Sequence, residues 1–432
     1  MKNGWIHKMS ILSLSMVLFV LAGGAAAYAA PQAQSGTKQI VKVMYKDKYL
    51  FDEALFKTKF PDVTVQSVRW DGKSSLTDFI AKQSPDVVML NVTEYKQLAP
   101  TKQLTDLGQL IKRDGYDTAT IYPGLLDALK SGGKLYGLSP YFNTQSIFYN
   151  VDLFEKYNIP LPKDGMTWEE ILKLAAKFPT KGSSSTRIWG LDFPLDRYAY
   201  LLNNMATSEG LARYDSANAK AAMNTAAWKK TYATAIEAIK SGTIEGSNES
   251  GYDKNSFIMG RSAMLIDFSS SSALRSIAAD KSAVKNYKPF QVGIAAGPAD
   301  SENKKTTRNV TLPAIMTIPS DSAHKDAAWE FIKFYNGSEY AKARSDKGFD
   351  YALTRTDYGK TYGGYSTAAF YKLKPNLDMQ DYSSVGMAFN VQYSKVVQSE
   401  IKQAVSGKKS SDKSLSSIHA QVQKLLDGIA KK

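Results

Sequence analysis

The chain has 432 residues, 43% hydrophobic and 22% charged, which fits a globular protein of two or three compact units and excludes a single small module or wholesale disorder. It has no cysteine and only three histidines, His7, His324 and His419, at no metal-ligating spacing, so disulfides, thiolate metal centres and cysteine nucleophiles fall away and no metal or cofactor is expected. The 55 Lys and Arg against 41 Asp and Glu leave +14, a balance that suits nucleic acid, an anionic envelope or plain solubility.

Lys2 and Lys8 precede an apolar run, Ile11 to Ala22, and a small-residue stretch ending in Ala27-Tyr28-Ala29. This is the order of a secretory signal peptide, so residues 1–29 are expected to be removed and 30–38 to form a flexible leader; an uncleaved membrane anchor is the alternative. Export lowers the charge from +14 to +12 by loss of Lys2 and Lys8, turns the reading away from nucleic acid towards an anionic envelope, and makes the mature protein extracellular or envelope-associated. Without a cysteine it is no lipoprotein. Beyond the leader, Ile40–Tyr45 reads as a strand, 51–59 as a helix, the alternating Val63–Val68 as a second strand, and the apolar Val87–Leu90 as a third, the pattern of an α/β protein with a largely parallel sheet. Thr167-Trp168-Glu169-Glu170 is a capping box that opens a helix. Ala328, Phe331, Ile332 and Tyr335 form one helical face that stops at Asn336-Gly337, and Ile418, Val422, Leu425, Leu426 and Ile429 form another. The polar stretches 181–186 and 407–416 read as loops.

Gly133-Lys134-Leu135-Tyr136-Gly137-Leu138-Ser139-Pro140, then Ile147-Phe148-Tyr149-Asn150-Val151-Asp152-Leu153-Phe154-Glu155-Lys156, then Met166-Thr167-Trp168-Glu169-Glu170 resemble the successive motifs of the extracellular solute-binding protein family that includes maltose-binding protein. Gly260-Arg261-Ser262-Ala263-Met264 and Lys325-Asp326-Ala327-Ala328-Trp329-Glu330-Phe331-Ile332-Lys333-Phe334 continue the resemblance in order, over roughly 40–430. The resemblance implies a type II periplasmic-binding-protein fold: two α/β lobes, each a mostly parallel sheet flanked by helices, with a ligand cleft between them. It implies residues 39–140 with 314–348 as one lobe and 146–310 with 352–432 as the other. Hinge crossings would lie near 140–145, 311–315 and 348–351. The implied function is capture of a carbohydrate, an oligosaccharide by preference, for an ABC permease, by a monomer that is not an enzyme.

Clefts of α/β proteins open at the carboxyl ends of strands, and a sugar asks for aromatic platforms beside planar polar groups. On that basis Trp70 is a candidate platform or a packing residue; Asn91, Thr93 and Glu94 stand where the resemblance implies ligand contacts, with helix capping as the alternative, for Thr93 above all. Tyr141, Asn143 and Gln145 belong to the first crossing and Tyr351 to the third. Trp189, Asp192, Asp196 and Arg197 combine a ring, carboxylates and a guanidinium that suit hydroxyl chelation or a buried structural pair. Phe268 stands where the family often has Trp, and Ser269 to Ser272 open a helix. No G-x-S-x-G, H-E-x-x-H, Walker or G-x-G-x-x-G motif occurs. The alternatives are a basic adhesion protein that binds envelope polysaccharide without transport, and a secreted glycoside hydrolase, which needs only two carboxylates.

Overall fold

A computed structural model describes residues 39–46, 51–183, 187–193, 198–215, 217–245, 255–268, 272–282, 285, 287–347, 351–378 and 385–430. The expected signal peptide and leader lie outside them, and no helix among the described residues is long and apolar enough to cross a membrane.

The strands of the two main sheets are β1 (Gln39–Tyr45), β2 (Val63–Arg69), β3 (Val87–Leu90), β4 (Gly137–Leu138), β5 (Tyr141–Asn150), β6 (Trp189–Asp192), β7 (Ile244–Glu245), β8 (Ser262–Phe268), β9 (Val292–Ala296), β10 (Val310–Thr311), β11 (Ile315–Thr317) and β12 (Ala352–Leu353). Helices of seven residues or more are α1 (Glu53–Lys59), α2 (Leu76–Gln83), α3 (Val92–Leu98), α4 (Leu107–Asp114), α5 (Trp168–Ala175), α6 (Tyr198–Ser208), α7 (Ala226–Lys240), α8 (Ser272–Ala278), α9 (Lys325–Tyr335), α10 (Ser338–Asp346), α11 (Gly386–Val405) and α12 (Ser411–Ala430).

The first sheet has the order β2-β1-β3-β11-β4 and the second β7-β6-β8-β5-β9, with β10 and β12 also paired to β5. In the first, β1 is parallel to β2 and β3, while β11 is antiparallel to β3 and β4. In the second, β6 is parallel to β7 and β8, while β5 is antiparallel to β8, β9, β10 and β12. Each sheet therefore has one reversed strand, and in each it is the strand by which the chain arrives from the other sheet. A chain that enters at the carboxyl edge must run backwards through it.

That geometry sets the two carboxyl edges against each other. Only Ser139 and Pro140 separate β4 from β5, a gap of about 10 Å at full extension. The return crossing runs from Thr311, paired with Asn143, to Ile315, paired with Leu90 at the end of β3.

The sequence explains the layers. Val87, Val88, Met89 and Leu90 are all buried, as a strand covered on both faces requires. Phe331, Ile332 and Tyr335 of α9 pack into the same core, where full burial of one such side chain stabilises by about 2 kcal/mol. The Thr167 capping box forms as read, with the Glu170 amide donating to Thr167 Oγ1 and Glu170 Oε2 accepting from the Thr167 amide. Gly190 lets β6 pass beneath α5, since a Cβ there would sit 2.1 Å from the Ala175 carbonyl oxygen. One expectation changes: the loop read over 407–416 ends at Ser410, whose hydroxyl accepts from the Lys413 amide, and α12 begins at Ser411. Serine-rich composition there is a helix start. Buried Glu400 on α11 ties the hairpin to α12 by accepting from Lys409, Ser417 and Gln421.

Candidate functional site

At the first carboxyl edge, Lys46 follows β1, Trp70 follows β2, and Asn91 follows β3. Lys46 Nζ lies 3.4 Å from Glu94 Oε1 and 5.3 Å from the centre of the Trp70 ring. Three strand ends thus converge on one ammonium, one carboxylate and one indole. Trp70 is buried, and its indole N–H donates to the Ser74 carbonyl at 3.2 Å and hydroxyl at 3.1 Å, so the ring is fixed in orientation by its own loop. Asn91, not Thr93, is the cap of α3: Asn91 Oδ1 accepts from the Glu94 amide and Glu94 Oε2 accepts from the Asn91 amide, each at 2.9 Å. Glu94 therefore holds the helix start with one oxygen and Lys46 with the other, while Thr93 stays half-buried beside them.

At the second edge, β6 ends in Asp192 and Phe193, β8 ends in Phe268, and Gln145 of β5 is the register partner of Phe268. Asp192 is 4% exposed and accepts from Ser256 Oγ at 3.0 Å and the Phe257 amide at 3.1 Å. Burial, aided by the Glu245 and Asp267 carboxylates, pushes its pKa up to about 6 against those two donors. Asp192 is thus held among protein groups behind the edge. Phe193 is fully buried and stacks on Tyr200 of α6, with centroids 5.4 Å apart and planes 20° apart. Gln145 Nε2 donates to Asn204 Oδ1 at 2.5 Å, and Asn204 Nδ2 donates to the Tyr200 carbonyl at 2.7 Å.

Between the edges, Tyr141 is buried with its hydroxyl 2.5 Å from that of Tyr340 on α10 and its ring 6.2 Å from Tyr351. Burial pushes the Tyr141 hydroxyl pKa up, so it stays protonated. Asn143 is half-buried on β5 opposite Thr311.

The structure thus gathers Trp70, Asn91, Thr93 and Glu94 at one edge, Asp192, Phe268 and Gln145 at the other, and Tyr141, Asn143 and Tyr351 between. It does not bring Trp189 there. Trp189 opens β6 at the amino end, and the Arg187 guanidinium covers its ring at 3.7 Å, so its burial follows from that stack. Asp196 and Arg197 lie outside the described residues, as do Ser269 to Ser271. Sequence reasoning missed Lys46, Tyr200 and Asn204. The strand-end rule would have found Lys46, which directly follows β1, whereas Tyr200 and Asn204 depend on how α6 packs. A depression of about 500 Å3 lined by Asp106, Lys112, Ile121, Asp127 and Lys134 lies beside α4, and none of the candidate residues lines it.

Residues 37–342 match the model of the family described as bacterial extracellular solute-binding protein. The mannitol-binding protein of Pseudomonas aeruginosa is 24% identical over 308 residues, 68% of this chain and 66% of that protein, so the match spans just under two thirds of the relative. A sugar transporter from Rhizobium etli in an open conformation superposes with a TM-score of 0.64 at 23% identity, over 89% of this chain and 98% of that one. The sugar-binding protein MalE from Xanthomonas citri gives 0.66 at 18% identity, over 90% and 98%. A solute-binding protein from Agrobacterium vitis with bound D-mannitol gives 0.52 at 18%, over 90% and 98%. These likenesses place the fold among two-lobed type II periplasmic-binding proteins.

Proposed function

The chain belongs to the bacterial extracellular solute-binding protein family, and from that premise we propose that it captures a sugar or polyol between the facing carboxyl edges of its two sheets and hands it to the membrane subunits of an ABC importer. The observation that supports this reading is that Lys46, Trp70 and Glu94 gather at the carboxyl edge of one sheet and Gln145 and Phe268 at that of the other, with only Ser139 and Pro140 between β4 and β5. Rings offer faces to C–H groups, and amides and carboxylates offer partners to hydroxyls, which is what a polyhydroxylated solute needs. Relatives named for mannitol and tagatose favour a small ligand, and those named for maltose or cycloalternan a longer one.

In this reading 39–140 with 314–348 form one lobe, 146–310 with 352–432 the other, and the segments near 140–145, 311–315 and 348–351 are the hinges. Asn143 and Tyr351 reach the ligand from the crossings, Asn91 and Thr93 from α3, and Asp196 with Arg197 from the second lobe. Tyr141 and Asp192 shape the site from behind. The protein binds without chemical turnover and works outside the membrane.

The test is thermal unfolding of the purified protein against D-mannitol, D-tagatose, maltose, maltotetraose, a peptide mixture, phosphate and spermidine. A ligand at 100 times its Kd should add about 2.7 kcal/mol to stability. The same ligand should reduce the radius of gyration in X-ray scattering as the lobes close. Stabilisation by none of the carbohydrates would refute the proposal, and recovery of the ligand hydrolysed would replace it with an enzyme.

A further inference from the structure

We infer that the second edge carries a subsite that only accepts hydrogen bonds, the side-chain oxygen of Gln145, and that it selects the ligand by a hydroxyl that the ligand donates. This rests on the sugar-or-polyol reading above and sharpens it.

The inference starts from a backbone group that cannot change its role. The Tyr200 carbonyl is an acceptor, so the Asn204 side-chain nitrogen that meets it at 2.7 Å is a donor. Asn204 Oδ1 must then face the other way, towards Gln145, and can only accept. The Gln145 atom 2.5 Å from it is therefore Nε2. Turning either amide over would oppose two acceptors with no proton between them. The relay leaves Gln145 Oε1 pointing away from Asn204. Gln145 is only 2% exposed, and no donor among the described residues reaches Oε1. A buried carbonyl oxygen without a donor is unfavourable in the free protein, and a ligand that supplies a proton relieves it.

The surroundings fix the class of ligand. Gln145 is the register partner of Phe268 at the carboxyl end of β8, and the relay runs from it to the first turn of α6. There the Tyr200 side chain is 36% exposed, with one ring face supported by the buried Phe193. An aromatic face and an acceptor on one edge suit the C–H side and the hydroxyl rim of a neutral sugar or alditol. Asp192 turns its Oδ2 away from the edge, to Ser256 and Phe257. A carboxylate or phosphate ester placed at the donating hydroxyl's position has no proton to give and would be repelled by Oε1, so this subsite excludes an anionic group there.

Calorimetry on full-length mature protein tests this with D-mannitol, D-tagatose and maltose, with the singly deoxygenated analogues of whichever binds, and with the phosphate ester at the hydroxyl so identified. In wild type one deoxygenation should weaken binding by tenfold or more, and the phosphate ester should bind at least a hundredfold more weakly. In Gln145→Leu the parent ligand should lose about tenfold, and that same deoxygenation should then cost less than twofold. A purely structural role would lower the affinity of every analogue by one common factor, and that result overturns the inference while sugar binding stands. If Gln145→Leu does not fold, the wild-type analogue series decides: no single hydroxyl worth fivefold, or tight binding of the phosphate ester, overturns it. No binding of any of the three probes overturns the proposed function and this inference together.

Discussion

Asp192 makes the stability of the fold depend on pH. Its carboxyl is pushed up to about 6 by burial at 4% exposure, against an ordinary unfolded value near 3.9. A carboxyl whose folded pKa is raised contributes stability that is fully present below about pH 4 and is lost as pH rises through 6. The displacement of about two pH units corresponds to about 3 kcal/mol. Asp192→Asn keeps one oxygen to accept from the Phe257 amide and removes the ionisation. Urea unfolding of wild type and Asp192→Asn, measured in parallel from pH 4.5 to 8, should show the difference between them change by about 2 kcal/mol in favour of the variant as pH rises, most steeply near 5, midway between the unfolded and folded values. Differencing cancels the titration of groups common to both proteins. A difference flat to within 1 kcal/mol across that range would refute the argument, because it would mean that Asp192 ionises as freely in the folded protein as in the unfolded chain.

Gly190→Ala should destabilise by about 3 kcal/mol or leave the protein insoluble, because the new Cβ would meet backbone at 2.1 Å where β6 passes under α5; a melting temperature within about 1 °C of wild type, roughly 0.8 kcal/mol for a chain of this size, would contradict this. Glu400→Ala strands Lys409 and opens the α11–α12 contact, and chemical denaturation should register a loss of about 3 kcal/mol, with Glu400→Gln losing less. Lys46→Met and Trp70→Ala should each weaken the ligand found in the thermal panel by tenfold or more. The Lys46 variant should lose no more than about 1 kcal/mol of stability, since Lys46 is the exposed member of the pair and Glu94 Oε2 still accepts from the Asn91 amide. Unchanged titration curves for both would remove the first edge from the site.

The motifs around Gly133–Glu170 and Lys325–Phe334 made the family legible, because their residues serve local structure: capping at Thr167 and helix periodicity at Ala328, Phe331 and Ile332. Local rules also misassigned particulars. The serines at 410–411 start a helix where composition suggested a loop, and Asn91 outcompetes Thr93 as the cap because its side chain reaches the third amide of the turn. Trp189 was placed by being aromatic near a strand, yet which end of the strand it occupies depends on the direction of β6 in a sheet assembled from distant segments.

The amino-acid sequence by itself determined the α/β class, the export-like leader pattern, the absence of thiol chemistry and the order of the elements, because each follows from residue type and spacing over a few turns. Only the tertiary structure decided which side chains share an edge. Lys46, Trp70 and Glu94 come from three strands, and Gln145, Asn204 and Tyr200 from a crossing strand and a helix more than fifty residues on. Their roles as donor or acceptor are set by neighbours that are remote in sequence, through hydrogen bonds that form only once the chain has folded.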